Sequence, residues 1–152
     1  MTEKKVKVIP RENAVFRMDE NGVWHNAHGR FEHPKIISYF NRSIQKDSQG
    51  YFVSQMLGEV VEKVYFPFVD TALFVVDIRI KDNIELVLNT GNTVLLDPST
   101  LHTRDDSLFC RTPDDLVKFN QHALARLARC LDETDQGLML NMGGASFPIP
   151  DK

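Results

Sequence analysis

Cysteine is scarce in this sequence: Cys110 and Cys130 are the only two, and no Cys-x-x-Cys pair occurs. A disulfide framework, a cysteine zinc knuckle and dithiol redox chemistry are thereby excluded, and both residues read as small buried apolar side chains. No run approaches the roughly 18 consecutive apolar residues that a membrane span requires. The charged opening Met1-Thr2-Glu3-Lys4-Lys5-Val6-Lys7 has no apolar stretch behind it and lacks the layout of a secretory signal, so a cytoplasmic protein clear of the membrane is expected. Positive charge is short as well. A net charge of −3 leaves no field to hold a nucleic-acid polymer, and the basic run Lys4-Lys5-Val6-Lys7 reads as a solvated tail.

The common chemical signatures are missing too. There is no Gly-x-Ser-x-Gly elbow, no phosphate-binding Gly-x-x-x-x-Gly-Lys-Ser/Thr loop, no Gly-x-Gly-x-x-Gly and no His-Glu-x-x-His. No catalytic residue and no cofactor follow from motifs. What is present is an ordinary globular composition, 42% hydrophobic and 26% charged over 152 residues, which fits one structural unit of modal domain size.

Local patterns give an α+β reading. Asn21-Gly22 between Val15-Phe16-Arg17-Met18 and Val23-Trp24-His25 predicts an opening hairpin. Pro34 fits a first helical position, and Ile36, Ile37, Phe40 and Ile44 line one face of a helix ending before Asp47. Tyr51 to Ser54 reads as a strand, whereas Gln55 to Val61 fits either period because Gly58 interrupts it. From Val64 to Asp97 the chain reads as β. Phe74, Val76, Ile78 and Ile80 alternate with Val75, Asp77 and Arg79, and two further strands flank Asn89-Thr90-Gly91-Asn92 to complete an antiparallel meander. After a strand at Leu108-Phe109-Cys110, Thr112-Pro113-Asp114-Asp115 supplies an N-cap, an N1 proline and two acids for a helix reaching Asp132. Its stripe is Leu116, Val117, Leu124, Leu127 and Leu131. Leu138-Met139-Leu140 reads as a last strand before Gly143-Gly144 and a proline-punctuated tail.

The two helical regions superimpose in sequence. Pro34, Ile37, Phe40 and Asn41 fall on Pro113, Leu116, Phe119 and Asn120 at one offset, and Gln49-Gly50 falls on Gln136-Gly137 at an offset eight residues larger. Those residues amount to roughly two turns inserted in the second helix. A degenerate duplication follows: two related strand-helix-strand lobes, about 12–61 and 62–150, with the central meander in the second. The crevice between lobes is the default ligand site, because pockets favour such junctions.

Several clusters carry weaker signals. His25, His28 and His33 invite a metal reading, but no cysteine or closely spaced carboxylate completes a ligand set. They read as polar turn residues, with His33 placed to cap the first helix, and no metal is expected. Glu59, Glu62 and Asp70 stand with Lys63 and Tyr65, which suits either an acid/base site or charged strand ends. Asn141-Met142-Gly143-Gly144 suits either a phosphate approach or a bend. Trp24, the single tryptophan, suits either base stacking or a core position.

The run Asn21-Gly22-Val23-Trp24-His25, the Pro34 helix, Gly50-Tyr51-Phe52-Val53, Glu62-Lys63 and Asp70-Thr71-Ala72 resembles the bacterial domain of unknown function 1285 family. Asn89-Thr90-Gly91-Asn92 and Gly143-Gly144-Ala145-Ser146-Phe147-Pro148 extend the likeness over most of the chain. Ser54-Gln55 and Asp70-Thr71-Ala72-Leu73 depart from the family pattern, which has Thr-Pro before Glu-Lys and an Asp-Ala-Pro-Phe. The resemblance implies a duplicated core, a second half similar to a pleckstrin-homology domain, and an inter-lobe site for a nucleotide-like ligand in signalling. It implies no catalytic activity. The leading expectation is therefore a ligand-binding or regulatory module for a small anionic, nucleotide-like molecule, with Trp24, Lys63, Asn89, Arg111 and Asn141 as site residues. The alternatives are a protein-interaction domain using a sheet face or tail, homodimerisation included, and an enzyme of unrecognised class.

Overall fold

A computed structural model describes residues 5–152 as mixed α+β, mostly strands in several sheets with two short α-helices. They form two compact units, 5–72 and 73–152.

The first unit begins with β1 (Lys5–Ile9), then the expected hairpin of β2 (Phe16–Met18) and β3 (Trp24–Asn26), extended by β4 (Gly29–Arg30). Helix α1 (Pro34–Arg42) starts at its proline. It stops at Ser43, whose hydroxyl donates back to the Tyr39 carbonyl. Ile44, expected on the helix stripe, instead opens β5 (Ile44–Asp47) and is buried there. The ambiguous stretch resolves into a second hairpin, β6 (Gly50–Leu57) and β7 (Val60–Tyr65), because Gly58 takes φ +64° and turns the chain between them. The lobe boundary expected at 61/62 thus falls inside a strand. β1 pairs parallel to β7, giving a four-stranded sheet ordered β1-β7-β6-β5. Lys5 and Lys7 are ladder residues rather than a solvated tail, and Lys4 lies outside the described residues.

Period-two alternation gives that sheet two different faces. Ile9, Gln55, Glu62 and Val64 share one face. Val8, Ser54, Lys63 and Tyr65 share the other. The core consists largely of aromatic rings: Trp24 meets Phe66, Phe40 and Phe16 at ring-centroid distances of 4.7, 5.3 and 5.7 Å, edge on. Such pairs contribute about 0.5–1.5 kcal/mol each beyond the area they bury.

In the second unit β8 (Phe74–Ile80), β9 (Ile84–Leu88) and β10 (Thr93–Leu95) form the expected meander. A register shift between Val75 and Asp77 breaks the alternation along β8, and Ile80 is exposed at the end of the strand. β11 (His102–Arg104), β12 (Ser107–Arg111) and β13 (Leu116–Phe119) complete a six-stranded sheet ordered β10-β9-β8-β13-β12-β11, in which β13 runs parallel to β8. Cys110 is buried on β12, which pushes its thiol up to about 12; Cys130 is only half-buried.

The helix expected from Pro113 does not start there. Thr112 to Asp115 is a turn: the Thr112 amide donates to the Asp115 carbonyl at 2.9 Å and the Asp115 amide donates to Thr112 Oγ1 at 3.1 Å. The residues that favour a cap favour a turn for the same reason, a short side-chain oxygen that accepts a nearby amide. The slot between β8 and β12 then takes Leu116 to Phe119 as a strand. Helix α2 (Gln121–Leu127) is capped by Asn120, whose Oδ1 accepts from the Ala123 amide at 2.9 Å. It buries Ala123 and Leu127, and Arg126 ties it to Asp77 of β8 at 2.7 Å. Leu131 opens β14 (Leu131–Thr134), followed by β15 (Gly137–Met142) and β16 (Ala145–Pro148) in a three-stranded sheet. The two glycines are the β15–β16 turn, and Phe147-Pro148 is strand rather than tail.

The internal repeat survives in a corrected register. A single offset of 87 residues carries the helix starts Pro34 to Gln121, the strand starts Ile44 to Leu131, and the turn glycines Gly50 to Gly137. No helical insertion is needed. Gly50 and Gly137 both have positive φ, +128° and +107°, as a tight strand-to-strand turn requires. Each unit therefore contains helix, strand, glycine turn, strand, glycine turn, strand.

Candidate ligand cavity

The inner face of β1-β7-β6 is not fully covered. Between it and the β2-β3 hairpin lies a cavity of about 410 Å³, within the range of small-molecule sites. Ile9 and Val64 form part of one wall, and Phe16, Phe31 and Phe40 form an aromatic floor. Polar groups come from four directions: Asn13 from a 3₁₀ turn after β1, Asn26 from β3, Gln55 from β6 and Glu62 from β7.

Local register explains the pairing. Gln55 and Glu62 are directly opposite across the β6–β7 hairpin, so the turn at Gly58 puts an amide and a carboxylate side by side on the cavity face. The side chains of Asn13, Gln55 and Glu62 make no hydrogen bond or ion pair to any described residue. Lys7 lies beside Glu62 in the β1–β7 register without forming a salt bridge. Asn26 Oδ1 accepts from the His28 amide at 2.9 Å. An adjoining depression of about 310 Å³ shares Asn26 and Phe31 and adds His28, Arg30 and His33.

The residues expected to bind ligand are distributed differently. Trp24 is 1% exposed, its indole N–H donates to Asn41 Oδ1 at 2.7 Å, and its rings are enclosed by Phe16, Phe40 and Phe66. Lys63 lies on the opposite sheet face from Glu62. There its ammonium pairs with Asp47, and it sits 4.2 Å over the Phe52 ring. Tyr65 donates to the same Asp47 oxygen at 2.6 Å, and the Lys63 and Tyr65 hydrogen bonds pull the Asp47 carboxyl down to about 2. Lys63 and Tyr65 were legible as neighbours; Asp47, which joins them from β5, was not.

The other three belong to the second unit. Asn89 Oδ1 accepts from the Phe74 amide at 3.0 Å, locking the end of β8 to β9. Asn141 donates to Asp132 and accepts from Ser146 at 2.6 Å, a side-chain ladder across β14, β15 and β16. Arg111 is exposed at the end of β12, and its guanidinium meets no described partner.

His25 is engaged by Asp19 at 2.7 Å. Burial raises the Asp19 pKa, but hydrogen bonds from His25 and from the Val23 and Asn21 amides outweigh it and hold the carboxyl below its ordinary value. His33 occupies the N-cap of α1 without a side-chain bond to it. Among the described residues no group of three or more His, Cys, Asp or Glu side chains could hold a metal ion, and no helix is long and apolar enough to cross a membrane.

Fold and cavity together define a repeat-built α+β protein with an internal recess in its first unit. The overall fold is similar to that of proteins described as DUF1285 family members. One from Silicibacter pomeroyi DSS-3 superposes with a TM-score of 0.63 at 13% identity, covering 97% of this chain and 83% of its own. Another, from Shewanella baltica OS155, gives a TM-score of 0.52 at 15% identity over 76% of this chain and 91% of its own. At these identities the likeness is one of fold. No family model matches the sequence, and no curated protein does.

Proposed function

We propose that this protein is a non-catalytic ligand-binding module, regulatory in role, whose small-molecule ligand lodges in the first-unit cavity. The observation that carries this reading is a recess with an aromatic floor into which Asn13, Gln55 and Glu62 present side chains without protein partners. Asn13 is exposed and Gln55 and Glu62 are half-buried, so their polar atoms face solvent at the mouth of an apolar recess, where a few convergent polar groups suit a ligand that replaces that water. A second reading, a nucleotide-like anion bound at Arg111 of the second unit, is favoured by its exposed guanidinium, which meets no described partner.

Thermal denaturation with a ligand panel of amines, nucleotides and sugar phosphates separates the two. A ligand at about 100 times its Kd stabilises the folded state by about 2.7 kcal/mol, a shift of roughly 5–11 °C for a domain of this size. A shift abolished by Phe31→Ala supports the cavity. A nucleotide shift abolished by Arg111→Ala and retained in Phe31→Ala supports the second reading instead.

A further inference from the structure

We infer that the ligand of this cavity is an organic cation: an ammonium or amidinium head on a compact apolar or aromatic body. The inference rests on the cavity being a binding site and concerns only what the site selects.

Among the described residues, Glu62 is the one ionisable side chain in the lining. No described Lys, Arg or His lines the cavity, and Lys7, its register partner on β1, forms no ion pair with the carboxylate. The other polar groups that face it, Gln55, Asn13 and Asn26, are amides, whose carbonyl oxygens accept hydrogen bonds as readily as their NH₂ groups donate them. Asn26 already commits one acceptor to His28. A ligand carrying N–H donors and positive charge would therefore meet a carboxylate and up to three amide oxygens, which is the charge-assisted arrangement that gives strong hydrogen bonds. The floor of Phe16, Phe31 and Phe40 suits the apolar or aromatic body of such a ligand. An anion entering this recess would face Glu62 with no counter-charge among the described lining residues, which disfavours a nucleotide there.

The test uses the whole chain and three probes with one body and different heads: tryptamine, tryptophol and indole-3-acetate, titrated by calorimetry and checked by thermal shift. Tryptamine should bind at least about tenfold more tightly than tryptophol, with indole-3-acetate weakest, as expected for one extra charge-assisted contact. Glu62→Gln should reduce tryptamine affinity about tenfold and leave tryptophol unchanged. Because the Glu62 carboxylate bonds to no described residue, the variant's melting temperature should stay close to that of the wild type. Gln55→Glu, which adds a second carboxylate opposite the first, should strengthen tryptamine binding. Equal or better binding of tryptophol or indole-3-acetate, still sensitive to Phe31→Ala, would overturn the cation inference and leave the cavity standing as a site. Binding of none of the three, or binding insensitive to Phe31→Ala, would overturn both.

Discussion

Asp47 shows how one carboxylate can set the acid behaviour of a sheet face. Its carboxyl lies near 2 rather than 3.8 because Lys63 and Tyr65 donate to it. A folded-state pKa below the unfolded one stabilises the fold above the unfolded value, and that contribution disappears as pH falls through the folded value. The Asp47 contribution is thus fully present above about pH 3.8 and is lost toward pH 2. Asp47→Asn should therefore flatten the acid limb of the stability-against-pH curve in this window, as measured by urea midpoints. An unchanged acid limb would show that the pair is too solvated to matter. Residue identity alone could not reveal this site. Lys63 and Tyr65 announce themselves by alternation on one strand, but Asp47 joins them only through the β5–β6–β7 pairing.

At the scale of elements, the sequence was most legible where one residue dictates backbone geometry, and least where a side-chain oxygen serves two structures equally. Asn21-Gly22 and Pro34 led to the correct hairpin and helix start. Thr112-Pro113-Asp114-Asp115 carried every mark of a helix start and made a turn, while Asn120, lacking a proline behind it, made the cap. Asn120→Ala should cost about 1 kcal/mol by removing that cap, and Pro113→Ala should leave the helical circular-dichroism signal unchanged. Loss of helix in Pro113→Ala instead would restore the longer helix. The cavity was illegible for a related reason. Gln55 and Glu62 meet only because Gly58 reverses the chain, and Gly58 was the residue that made that stretch ambiguous.

For the whole molecule, the constant offset of 87 residues makes a quantitative demand. It places Phe40 on Leu127, the two inward residues of the repeated helices. Leu127 is fully buried, and Leu127→Ala should cost about 2–5 kcal/mol. Phe40 touches Phe16, Phe31 and Trp24 but is only half-buried, so Phe40→Ala should fall toward the lower end of that range. Guanidinium titrations giving less than about 0.5 kcal/mol for both would remove the repeat as an organising unit.

The parallel pairing of β1 with β7 also has a consequence in time. Ile9, at the end of the first described strand, and Val64, near the end of the first unit, are register partners and walls of the same cavity. A ribosome has made nearly all of that unit before the recess can exist, and closing so long a loop is among the slower events in folding. On the function proposed above, a ligand could enter only once synthesis of the unit is complete and its strand order correct. In hydrogen exchange, a bound ligand should slow the amides of Val6 to Ile9 together with those of β7, although the β1 segment is otherwise the one most exposed to solvent in its sheet.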